Sequence, residues 1–291
     1  MTLSATFEPL VVCVVIASML PLVHRRLTPR TSAGVLAATT IWISVAAVVS
    51  LWMFTLRYLS HVSWLKDQLV WCSSIIGDHG SVPTLFGLPA VMLSLVGIRR
   101  FARLVRTQRH IRSNMVTGTT VVDTAEVFAF SIPGSRRAVV VSTGLLDNLS
   151  SDEQAVVFAH ENSHVSNRHD RYLVIARASE AFLPMLAPLT RRMEFSLERW
   201  ADDDACAAVC GNRRLVATTI AKVALLPQRT PKYAMAFTGI GTAARTRSLL
   251  RPTPASQALT AMSIVLSMTG LGVAVYQLHH LEALITTLCR T

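Results

Sequence analysis

Four runs of apolar residues stand out along the chain, at 10–23, 33–56, 82–98 and 258–278. A helix that crosses a bilayer needs about 20 such residues, or about 17 at the short end. Each run is therefore read as a membrane span, the first being the shortest and extended outward by Phe7. That first run is not read as a cleavable secretory signal. Glu8 precedes it without any Lys or Arg, and Arg25, Arg26 and Arg30 follow it, which reverses a signal's charge order.

Between the third and fourth runs the period changes. Residues 119–131, TTVVDTAEVFAFS, alternate and are rich in β-formers; Pro133-Gly134-Ser135 marks a turn, and residues 137–142, RAVVVS, resume the alternation. The pattern predicts a β-hairpin. Ser150 with Glu153 three residues on is a capping box, reinforced by Asp152, and opens a helix through QAVVFAHENSHVSNRH. Residues 171–189 are apolar but interrupted by Arg177 and Glu180, with prolines at 184 and 188. They are read as a buried or membrane-apposed helix rather than a fifth span. A further helix is expected over 193–209, closed by Gly211-Asn212. One more helix and a Pro- and Arg-containing connection lead to Arg251.

Composition supports the membrane reading. The chain is 51% apolar and 15% charged, against roughly 25% charged for a soluble domain, and its mean hydropathy is +0.43. The same figures exclude intrinsic disorder. Charge placement then orients the spans. The link after the first span holds Arg25, Arg26 and Arg30. The segment after the third holds Arg99, Arg100, Arg103, Arg106, Arg109 and Arg112, and neither contains an acid. The link 58–81 sets Lys66 against Asp67 and Asp78. Because Lys and Arg accumulate on the cytoplasmic side, the insert 113–251 is expected in the cytoplasm and both termini outside.

The net charge of +11 invites a nucleic-acid reading, yet the insert holds 16 basic against 13 acidic residues. Most of the excess lies beside spans, where anionic lipid headgroups account for it, so no direct nucleic-acid partner is expected. The five cysteines, at 13, 72, 206, 210 and 289, form no disulfide framework and no CxxC pair. Cys206 and Cys210 are expected to be small core residues in a reducing compartment.

The insert carries one strong chemical signal, His160-Glu161-Asn162-Ser163-His164. Two histidines four apart on a helix project from one face and can bind a single tetrahedral Zn²⁺. The glutamate between them is suited to take a proton from the water that such a metal activates. The run Ala155-Val156-Val157-Phe158-Ala159 buries this helix, and buried paired histidines need a partner. A third histidine at position 170 would complete an HExxHxxGxxH pattern, but Asp170 stands there and His169 is one residue short. The better third ligand is Glu198 in Glu198-Arg199-Trp200-Ala201-Asp202. Asp202, one turn on, would accept the other ring N–H of a ligand histidine. Glu194 is the rival ligand one turn earlier, and Asp203 and Asp204 are expected to face elsewhere.

These residues resemble a family. Phe128-Ala129-Phe130, then Val141-Ser142-Thr143-Gly144-Leu145-Leu146, the Asp152-Glu153 helix start, HExxH and ExxAD are similar to the integral-membrane gluzincin peptidases. The layout of three spans, a zinc domain and a fourth span is similar to BlaR/MecR-type antirepressor peptidases. HtpX-like and CAAX-protease-like metallopeptidases share the core motifs. The resemblance implies His160, His164 and Glu198 as zinc ligands, Glu161 as general base and Asp202 as the residue that orients a ligand. BlaR/MecR proteins carry a penicillin-binding sensor after the last span; here 13 residues follow it, so antibiotic sensing is not implied.

The expectation is a multi-pass α-helical membrane protein with an α+β gluzincin-type zinc metallopeptidase domain. Residues 1–112 would hold three spans, 113–251 the cytoplasmic zinc domain, and 252–291 the fourth span and an extracytoplasmic tail. It would sit in the plasma membrane and hydrolyse peptide bonds of a protein substrate, a repressor-type regulator first or membrane proteins under quality control second. A non-catalytic membrane scaffold is the reading from another class, against which the intact Glu161 argues. The strand over 126–131 is expected to be an edge on which an extended substrate adds.

Overall fold

The computed structural model describes residues 27–64, 83–113, 118–132, 138–227, 235–236, 241–252 and 256–288. The expected first span, the link at 65–82 and the turn at 133–135 lie outside them. In chain order the described elements are helices α1 (Pro29–Leu59) and α2 (Thr84–Ser113), strands β1 (Gly118–Val122), β2 (Ala129–Ile132) and β3 (Ala138–Ser142), and the short helix α3 (Thr143–Leu146). Helices α4 (Ser151–Ser166), α5 (His169–Phe182), α6 (Ala187–Ala208) and α7 (Arg213–Leu225) follow. Strand β4 (Met235–Ala236) and helices α8 (Thr242–Leu250) and α9 (Gln257–Leu288) complete the order.

Two described helices are long and apolar enough to cross a membrane, over Pro29–Leu56 and Thr84–Arg109, and α9 carries a shorter apolar stretch, Gln257–Gly272. Small and hydroxyl side chains join them. Thr55 on α1 meets Ser94 on α2 at 3.0 Å, and Thr39 meets Ser267 on α9 at 3.1 Å. Gly270 lets the α9 backbone approach the Trp42 indole so closely that any Cβ there would overlap it.

The sheet is mixed and runs β1-β3-β2-β4. β2 and β3 form the expected antiparallel hairpin, with Phe130 opposite Val140. The stretch read as one strand over 119–131 is instead two, and β1 pairs parallel with β3, Thr120 opposite Val140. Side-chain and backbone bonds at Thr124 make the break. Its N–H donates to Thr143 Oγ1, and its carbonyl accepts from the Gly144 N–H at 2.9 Å. Gly144 is required there, since a Cβ would stand 2.5 Å from the Ala125 carbonyl oxygen. Nor is β2 a free edge: β4 pairs with it antiparallel at Phe130 and Ser131.

Two apolar clusters position the site. One joins a sheet face to α4, α7 and α8 through Val139, Val141, Val156, Val157, Ile220 and Leu249. The other joins α1 to α5 and α6 through Leu36, Trp42, Leu173, Met193, Leu197 and Trp200. Residues 171–189, read as one helix, are therefore most of α5, a 3₁₀ turn at Pro184–Leu186 and the start of α6. The helix expected from 193 begins at Ala187, with Pro188 in its first turn, where a missing N–H costs nothing. At its end the Gly211 N–H bonds the Cys206 carbonyl at 2.8 Å, and Cys210 takes φ 55°. Cys206 is buried in the core, but Cys210 is exposed, contrary to expectation, because it occupies this left-handed cap position.

Candidate metal centre

Helix α4 starts where its capping box dictates. The Ser150 N–H donates to Glu153 Oε2 at 2.9 Å and the Glu153 N–H donates to Ser150 Oγ at 3.3 Å. Val156 and Val157 anchor the helix in the core, which carries His160, Glu161 and His164 inward on the same buried side. Two hydrogen bonds lock α4 to α6: Ser163 Oγ and Asn167 Nδ2 both donate to Asp204 Oδ2, at 2.6 and 2.8 Å.

That docking brings Glu198, on α6, to the two histidines. His160 Nε2 and His164 Nε2 lie 3.1 Å apart. Glu198 Oε2 is 3.5 Å from His160 Nε2, and Oε1 is 3.5 Å from His164 Nε2. Donor atoms about 2.0–2.2 Å from a tetrahedral ion stand about 3.3–3.6 Å from one another. Two imidazoles and one carboxylate at this spacing, all buried, fit zinc in donor type, number and separation. Glu161 is fully buried between them, and neither of its carboxylate oxygens has a protein hydrogen-bond partner. A charged carboxylate in this state inside a protein is costly, and burial raises its pKa instead.

Asp202 stands one turn after Glu198 with Oδ1 3.1 Å from His160 Nδ1. Glu194, the rival ligand, points away and pairs with Arg177 at 3.4 Å. Asp203 faces Arg213 and Asp204 faces α4, as expected. Two participants escaped the sequence. His169 Nδ1 lies 2.8 Å from His164 Nδ1, with its ring 4.7 Å from that of Trp200. Arg168, in the left-handed conformation at φ 54°, turns the chain so that His169 comes back beneath His164 rather than continuing α4. Arg245, from α8, is wholly buried beside Asp202 and Glu198. No local pattern marks it; its place follows only from the fold.

The electrostatics follow from burial and these partners. Burial disfavours the charged form of His160, but hydrogen bonds and charge from Asp202 and Glu198 outweigh it and raise its pKa to about 9. His164, buried and beside two other histidines, is pushed well below the usual histidine range. His169 falls to about 3 through burial and the neighbouring His160. Burial is also the main reason that Glu161 rises to about 8. Burial would raise Glu198 and Asp202, yet the Arg245 guanidinium overrides it, holding Glu198 low and Asp202 at about 2.

Residues 99–195 match the model for Peptidase family M48. The chain is 38% identical over 132 residues to Protease HtpX of Buchnera aphidicola subsp. Schizaphis graminum, covering 40% of this chain and 45% of that relative. It is 41% identical over 68 residues to the Protease HtpX homolog of Listeria welshimeri serovar 6b, covering 23% and 22% of the two chains. Over 71 residues it is 38% identical to Protease HtpX of Pectobacterium carotovorum subsp. carotovorum, covering 24% of each. The chain thus spans less than half the length of these curated relatives. No solved structure matches it. The stretch matched by the family model contains the HExxH helix and ends before Glu198, Asp202 and Arg245. The chain thus shares a stretch with Peptidase family M48, and its His160, His164 and Glu198 could together hold a metal ion.

Proposed function

We propose that this chain is a membrane-bound zinc metalloendopeptidase in which His160, His164 and Glu198 hold the metal. The observation that carries the reading is the buried cluster of those three side chains. Zinc, when bound, supplies a Lewis acid that polarises a peptide carbonyl and makes water a nucleophile near neutral pH. Glu161 would take the proton of the attacking water and return it to the leaving amine. Asp202 Oδ1, 3.1 Å from His160 Nδ1, is placed to accept that ring's proton in a hydrogen bond and so leave Nε2 to face the metal.

The charge asymmetry of the links supports a multi-pass arrangement in a plasma membrane with the zinc domain on the cytoplasmic side. The similarity to proteins named Protease HtpX favours membrane proteins as substrates over the repressor-type regulator expected from the span order. The test is the zinc content of the detergent-purified protein beside Glu198→Ala, Glu194→Ala and Glu161→Gln. The expected result is about one zinc per chain, lost in Glu198→Ala, kept in Glu194→Ala and Glu161→Gln, with casein hydrolysis abolished in Glu161→Gln. A folded wild type that binds no zinc would end the peptidase reading and favour a scaffold.

A further inference from the structure

Arg245 is the least expected group in the core. A guanidinium with no solvent exposure is tolerated only when every face of it is answered by charge. Its Nε donates to Asp202 Oδ2 at 2.8 Å and its Nη2 to Asp202 Oδ1 at 2.6 Å, a two-pronged grip on one carboxylate. Its Nη1 lies 2.8 Å from Glu198 Oε2. One planar cation therefore touches both acidic side chains of α6 that face the histidines, and does so from a different helix.

We infer that Arg245 is a positioning residue of the metal centre, tying Glu198 and Asp202 together so that both carboxylates stay turned towards the histidines. The inference rests on the zinc reading above. Glu198 Oε2 lies 2.8 Å from the guanidinium and 3.5 Å from His160 Nε2, while Oε1 lies 3.5 Å from His164 Nε2. A glutamate free to rotate would turn away from the two ring nitrogens and leave the ion one protein ligand short. The same guanidinium holds Asp202 beside His160 Nδ1, so the orientations of the first histidine and of the glutamate are set together. Lysine cannot substitute, because one ammonium lacks the planar spread of donors that reaches two carboxylates at once.

The experiment uses the full-length protein in detergent, with cobalt as a spectroscopic stand-in for zinc. Arg245→Lys, Arg245→Met and Arg177→Met are compared with wild type for folding, zinc affinity against a chelator, and cobalt absorption. Folded Arg245→Lys and Arg245→Met are expected to bind zinc about 10–100-fold more weakly. Their cobalt bands should lose the intensity of a four-coordinate site, while Arg177→Met matches wild type. Unchanged affinity and spectrum in a folded Arg245 variant would overturn the inference and leave the zinc reading intact. A wild type that binds neither metal overturns both. Where the Arg245 variants do not fold, X-ray absorption of zinc in the wild type decides: a carboxylate ligand beside two histidine nitrogens supports the clamp, and its absence removes it.

Discussion

Glu194 and Glu198 stand one turn apart on α6, and only the second reaches the histidines; the first is spent on Arg177. Helical periodicity in the sequence could nominate both but could not choose, because the choice depends on how α6 docks on α4. The histidine pair itself was legible, since four residues along one helix fix which side chains share a face. His169 was not: it falls one position short of a known ligand spacing, and only the left-handed turn at Arg168 shows that it supports His164 rather than the metal. If His164 binds zinc through Nε2, its Nδ1 carries the proton and His169 Nδ1 accepts it. His169→Leu, which fills volume without an acceptor, should weaken zinc binding about 10-fold or more, and His169→Gln should recover part of the loss. Chelator competition measures both, and equal affinities in all three proteins would mean that the contact has no part in orienting the ligand.

At the scale of elements, signals contained in a few neighbouring residues were readable and those spread between strands were not. The capping box at Ser150 and Glu153 needs only local geometry, and the helix begins where it should. The division of 119–131 into β1 and β2 depends on Thr143 and Gly144, about 20 residues away, and so left no trace in the alternation. The cap also has a tertiary partner: Lys222 on α7 meets Glu153 Oε2 at 2.7 Å. That bond, followed by the Ser150 amide, holds the Glu153 pKa below its ordinary 4.5. A lowered carboxylate contributes stability that is present above its unfolded value and is lost as pH falls through the folded one. Thermal melting across the acid range should therefore show wild type more stable than Lys222→Met near neutrality, with the two converging below the carboxylate range. A gap that persists unchanged into strong acid would assign the difference to packing by the lysine stem instead.

For the whole molecule, composition announced the apolar runs, but nothing in it foretold that α5 and α6 would pack along α1. That contact unites parts of the chain some 160 residues apart: Ser32 and Ser196 share a hydrogen bond at 2.9 Å, and the Arg30 guanidinium lies 5.4 Å from the centroid of the Trp200 ring. Trp200 in turn lies against His169, and His169 against His164. The opening turn of α1 is thus within one side chain of the residues that support the metal ligands, with no flexible tether in between. On the membrane reading proposed above, α1 acts as a ruler. A helix advances about 1.5 Å per residue, so the depth of the cutting site relative to the bilayer is set by a count of residues along α1 rather than by the sequence of whatever is cut. Model substrates anchored by one span, with Gly/Ser spacers of increasing length before a common target segment, should be cleaved at a constant distance from the membrane while the residues at the cut change. Cleavage that follows the target segment outward as the spacer grows would show instead that side-chain recognition chooses the bond.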